Sequence, residues 1–121
     1  MKKILLVALA TVTVLSAQSG ETLVKENGCM ECHNIMGKKL APAFKGTARK
    51  NLKWYGNDAK LKIIDSIKNG SKGKYRNFAD TEMPAYGHLA DKDLDEISTW
   101  ILDLYRNNRN MTPANRRGRP F

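Results

Sequence analysis

The sequence predicts an all-α domain of about four helices joined by long loops, and three observations carry that prediction. Apolar residues recur at helical spacing in two segments, at Ala59, Ile63 and Ile67 and at Leu94, Ile97, Ile101 and Leu104. No run alternates with the two-residue period of a half-buried strand. The stretch 71–89 has no period and carries Gly73, Pro84 and Gly87, so it reads as one long loop, a kind of segment that is usually functional in a small domain. The chain has 121 residues, room for one domain and not two.

The elements follow in chain order. Lys2 and Lys3 precede an apolar run from Ile4 to Leu15, and small residues follow at Ser16, Ala17, Ser19 and Gly20. That order is the pattern of a secretory signal peptide over residues 1–17, cut between Ser16 and Gly20. The run falls short of the ~20 residues that a bilayer-spanning helix needs. The folded domain is then expected over 21–106. A short helix over 21–27 stops at Gly28, and a loop over 34–40 follows the segment Cys29–His33. Pro42 suits the first position of a helix reaching about Lys50. A connector over 51–57 leads to a helix over 58–68, capped by Asn57 and ended by Asn69 and Gly70. The last helix is expected from Asp91 to Tyr105. Residues 107–121, with Arg109, Arg116, Arg117 and Arg119, read as a basic, flexible tail.

Cys29 and Cys32 are the only cysteines. A disulfide between them would close so small a loop that it would constrain the unfolded chain little, so the pair needs another purpose. With the next residue they form Cys29-Met30-Glu31-Cys32-His33. Thiols at this spacing can form thioethers with the two vinyl groups on one edge of a haem, and the adjacent histidine then binds the iron. A thiol–disulfide redox pair would want a βαβ context, which the sequence lacks. A structural zinc site would want a fourth ligand, and only His88 remains as a nitrogen ligand. Candidates for a second axial ligand are Met36, Met83, His88 and Met111. Met36 lies only three residues past His33, which leaves little chain to round the ring, and Met111 is in the tail. Met83 sits in the long loop before Pro84, which holds the preceding residue extended. A packing role for Met83 and a ligand role for His88 stay open on these grounds.

With these residues in place, the chain resembles the small bacterial class I cytochromes c, the short monohaem periplasmic carriers. The resemblance covers about 23–105. It rests on the Cys29–His33 motif, Ala41-Pro42-Ala43-Phe44-Lys45, the run from Ile67 to Tyr75, Met83-Pro84-Ala85-Tyr86 and the helix from Leu89 to Leu104. It implies the class I cytochrome c fold wrapped around one covalent haem c, with Cys29 and Cys32 in thioethers and His33 and Met83 on the iron. It also implies that the Pro42 carbonyl accepts the free ring N–H of His33, which fixes the ring and raises its basicity. Tyr75 stands where the family often has a tryptophan that donates to a haem propionate. Trp54 is expected on the haem or in the core, and Trp100 between helices. The chain departs from the family at Val24, where a larger aromatic often packs. It departs at Ser66, which replaces a basic residue that contacts a propionate in some relatives. Ala90 replaces an N-cap serine, leaving Asp91 to cap.

The function this implies is periplasmic one-electron carriage, not catalysis. His/Met ligation raises the haem potential and leaves no open coordination site. The alternative is a haem c subunit of a larger periplasmic oxidoreductase complex, such as a sulfur-compound oxidising enzyme. A formal net charge of +9 favours redox partners with acidic docking surfaces. The protein is expected to be a monomer with no stable membrane span. Its arginine tail suits weak contact with an anionic membrane, and nucleic acid is not an expected partner in that compartment.

Overall fold

A computed structural model describes residues 18–109. The predicted signal peptide and the part of the predicted tail beyond Arg109 lie outside the described residues.

Helix α1 spans Gly20–Glu26. The Ser19 hydroxyl caps it by accepting the N–H of Thr22 at 3.3 Å. Gly28 takes a left-handed φ of 72°, ends the helix, and turns the chain into a single 3-10 turn over Cys29–Glu31. The next helix, α2, covers Phe44–Tyr55. It begins two residues beyond Pro42 and absorbs most of the expected connector. Its start has no side-chain cap. Instead the N–H groups of Phe44 and Lys45 donate to the carbonyls of Asn34 (2.9 Å) and Ile35 (3.2 Å), so the loop after His33 closes that end. The helix continues past Lys50 because Asn51, wholly buried, donates its amide to the Thr47 carbonyl one turn back at 2.8 Å. That tertiary placement overrides the weak helix propensity of Asn51, Trp54 and Tyr55.

A 3-10 turn over Gly56–Asp58 feeds α3, Ala59–Asn69. Asn57, the cap expected from the sequence, does not cap it, because it lies inside that turn; Asp58 holds the cap position without a side-chain bond. The long segment after α3 contains a small antiparallel ladder that the sequence did not announce. Strand β1, Ser71–Lys72, pairs with β2, Glu82–Met83, with Ser71 opposite Met83. Two residues per strand are too few for an alternating pattern to register. Helix α4 runs over Asp91–Arg109, four residues past its expected end. The Leu94 N–H donates to the Ala90 carbonyl at 3.0 Å, so Ala90 keeps the cap position. Asp91 falls in the first turn, where its charge suits the helix dipole.

Helix α4 crosses α1, α2 and α3. The core joins Leu23 and Val24 of α1, Phe44 and Ala48 of α2, Ala59, Ile63 and Ile67 of α3, and Leu94, Ile97, Ile101 and Leu102 of α4. Each large side chain contributes about 1.5–3 kcal/mol by leaving water. The α3 stripe is the expected one. On α4, Leu102 is buried more deeply than Leu104, since a helix with three neighbours buries more than one seam. At Gly20 a Cβ would collide with the Glu96 carbonyl and the Trp100 side chain. Close approach of α1 and α4 there buries Val24 completely without a larger aromatic. Trp100 packs edge-on to Phe44 at 5.5 Å, between helices as expected. Among the described residues no helix is long and apolar enough to cross a membrane.

Candidate functional site

A cavity of about 260 Å³ opens beside this core. That is far larger than the voids of a packed interior, so it is a binding cavity and not a packing defect. Phe44, Ile63, Ile67 and Ile101 supply apolar lining, and Cys29, Cys32, His33, Met83, Pro42 and Tyr75 all face it as well.

The motif wall is built locally. The His33 N–H donates to the Cys29 carbonyl (3.0 Å), and the Ala41 N–H returns to the Cys32 carbonyl (3.0 Å). No disulfide joins the two cysteines; Cys29 is half-buried and Cys32 exposed, so the cavity reaches solvent at Cys32. His33 Nδ1 lies 2.6 Å from the Pro42 carbonyl oxygen. A carbonyl only accepts, so Nδ1 carries the proton and Nε2 keeps its lone pair for a metal. The ring stacks on Phe44 at 4.7 Å and 22°. Burial holds His33 below the ordinary imidazole range, with the Pro42 carbonyl pulling the other way. The neutral ring is the form a metal needs. Burial likewise pushes the Cys29 thiol up, against a backbone hydrogen bond. Pro42 therefore enters the site through its carbonyl and not as a helix opener.

The second wall comes from the segment after α3. Met83 is half-buried, its backbone held by the ladder to Ser71. Gly70 turns the chain with φ 78°, and a Cβ there would lie 2.7 Å from the Met83 carbonyl oxygen. The Tyr86 N–H donates to the Ile67 carbonyl at 2.8 Å, tying the far side of Pro84 to the end of α3. Of the other candidate ligands, Met36 is 62% exposed and His88 is exposed; neither lines the cavity. Met111 lies outside the described residues.

A third wall is polar. Asn51 donates to the Tyr75 hydroxyl (3.0 Å) and accepts from Lys74 Nζ (3.0 Å), which also donates to the Ser66 hydroxyl (3.0 Å). Burial pushes the Tyr75 phenol up, against its hydrogen bonds to Thr47 and Asn51. Sequence reasoning missed Asn51 and Lys74. The signal for Asn51 was its place seven residues after Phe44 and three after Ala48, a polar residue on an apolar helix face. Trp54 does not fill the core, one of its two expected places: it is 46% exposed and leans on Tyr75 at 5.7 Å.

The residues fit a haem c. Two thiols at motif spacing and an oriented imidazole share one wall of an apolar cavity, a thioether sits in another, and polar groups occupy a third. Comparison with known proteins agrees. A family model described as Cytochrome c matches residues 17–105. The chain is similar to cytochrome c-552 of Hydrogenobacter thermophilus, 32% identical over 86% of this chain and 99% of that protein. It is also similar to cytochrome c-551 of Pseudomonas aeruginosa, 35% identical over 81% and 92%. The solved structure of wild-type cytochrome c552 from Nitrosomonas europaea superposes with a TM-score of 0.61 at 32% identity, covering 69% of this chain and 98% of that one.

Proposed function

The chain belongs to the cytochrome c family, and from that premise we propose that it is a periplasmic carrier of single electrons whose haem is held by Cys29 and Cys32 and ligated by His33 and Met83. It carries one covalent haem c and is an electron-transfer protein, not an enzyme. The observation that carries the finer reading is the convergence on one cavity of the motif thiols, a histidine with Nδ1 bonded to Pro42, and Met83.

When bound, the haem supplies the one-electron Fe(III)/Fe(II) couple. The chain's own residues set its surroundings. Pro42 and Phe44 fix the plane and tautomer of the His33 ring, so Nε2 is presented without a search over rotamers. Ile63, Ile67 and Ile101 exclude water from the cavity, which favours the less charged, reduced form of the couple. Met83 brings a soft sulfur, which acts in the same direction. The opening at Cys32 is where an electron enters and leaves. Exposed Lys38, Lys39, Met36 and Leu40 follow it in the chain, a cationic and apolar surface suited to a brief encounter with an acidic partner.

Fractionation of native cells with haem staining tests this reading. The expected result is one haem per chain, in the periplasmic fraction, eluting as a small species and reduced in a one-electron titration. Co-elution with a large catalytic subunit overturns the free-carrier reading in favour of a complex subunit.

A further inference from the structure

We propose that Lys74, held by Asn51 and Ser66 on the polar wall of the cavity, is the counter-cation for a carboxylate of the bound haem. This rests on the haem reading above and adds a residue to it. The Lys74 ammonium forms no ion pair among the described residues. Lys74 is half-buried, and its Nζ donates to two neutral oxygens, Asn51 Oδ1 and Ser66 Oγ, each at 3.0 Å. Its other neighbours are the faces of Tyr55 and Tyr75, at 5.6 and 5.9 Å. The ion pairs among the described residues are Lys25–Glu21 and Lys60–Asp95, so Lys74 joins neither. Asp65, the carboxylate whose field reaches it, accepts a hydrogen bond from Asn69 at 2.7 Å instead. Glu31 and Glu82 also border the cavity, but they are exposed and form no ion pair with it.

A partly buried ammonium whose hydrogen-bond partners are all neutral is an incomplete arrangement, because desolvation is costly and a directly paired carboxylate would offset it. An ammonium has three donors, and Lys74 uses two. The third is available to the cavity that Lys74 lines. The wall is also fixed in advance. Asn51 is wholly buried and uses its oxygen on Lys74 and its amide on Thr47 and Tyr75, so the cation cannot swing away without leaving a buried amide unsatisfied. Haem is an apolar ring bearing two carboxylates, and this cavity is apolar with one cationic wall. The Ser66 hydroxyl completes the arrangement: helix α3 has no basic side chain at that position, and the charge reaches it from the following loop instead.

The test is the midpoint potential of mature holoprotein as a function of pH, for the parent chain, Lys74→Gln, Lys74→Arg and Ser66→Ala. The groups facing Lys74 are Asp65 and Lys62 of α3, Tyr55 of α2, and Tyr75 beside it, whose ring Lys50 of α2 also approaches. They are unchanged in every variant. With Lys74 present the haem carboxylate stays ionised, and the potential is flat between about pH 5 and about pH 8. In Lys74→Gln the carboxylate pKa rises into that window. The potential should then be lower than the parent's, since a cation near the iron is gone, and should fall as pH rises and the carboxylate ionises. Lys74→Arg should keep the flat profile. Ser66→Ala, which removes one tether and keeps the charge, should give an intermediate profile and serves if Lys74→Gln does not mature. Profiles of Lys74→Gln and Ser66→Ala that superimpose on the parent's overturn the assignment. The weak red sulfur–iron band, read in the same samples, separates the two claims. Its presence with superimposable profiles sinks Lys74 alone, and its absence from the parent protein sinks the Met83 reading itself.

Discussion

The two sides of the cavity are built by different means. The His33 side is a local construction: its hydrogen bonds link residues nine or ten apart, His33 to Pro42, Cys32 to Ala41, Asn34 to Phe44. Each bond closes a small loop, so ordering one residue helps order the next. The Met83 side is assembled from afar. Four ladder residues and one bond from Tyr86 to Ile67, nineteen positions back, hold it against the end of α3. The His side is therefore over-determined and the Met side hangs on a few main-chain contacts. Damage to the first should lower global stability, whereas damage to the second should loosen a ligand before it unfolds the domain.

Three substitutions sharpen that contrast, from the largest effect on stability to the smallest. Phe44→Ala removes a buried ring that stacks on His33 and packs on Trp100. It should cost about 3–5 kcal/mol in chemical unfolding of the holoprotein, yet leave the sulfur–iron band of the folded fraction in place. Gly70→Ala places a Cβ against the Met83 carbonyl at a φ of 78°. It should cost about 1–3 kcal/mol and weaken that band at temperatures where far-ultraviolet circular dichroism is still native. If Gly70→Ala lost helicity and the band together, the two sides would not be separable. Pro42→Ala keeps the carbonyl that His33 uses, so its cost is that of a freer unfolded chain, about 0.4–1 kcal/mol. A large change in the reduction potential of Pro42→Ala would mean that the ring of proline matters beyond its carbonyl.

The same contrast explains what could be read without the structure. The His side lies within one stretch of sequence, so the motif and Pro42 were visible as spacing. The core stripe of α3 was visible because periodicity reports a buried helix face directly. The start of α2 was not, because main-chain carbonyls of residues 34 and 35 close it and no side chain records the fact. The β1–β2 ladder was too short to leave a pattern. On the polar wall Tyr75 and Ser66 were flagged through the family resemblance, but Asn51 and Lys74 were missed for a third reason. Asn51 and Lys74 come from α2 and the loop after α3, and each looks ordinary where it stands in the chain. Only their meeting gives them meaning, and Asn51 on an apolar face was the one hint of it.

Reduction by an acidic protein should slow as ionic strength rises past the point where the screening length falls to about 10 Å. A rate independent of salt would remove charge from the docking argument without touching the cavity.

The central claim is that the thioether of Met83 faces the same iron as His33. The optical spectrum of mature ferric protein, parent against Met83→Ala at neutral pH, tests it most directly. The account predicts a weak red absorption band in the parent that vanishes in the variant while the covalent haem content stays at one per chain. A band that survives the loss of Met83 would contradict it.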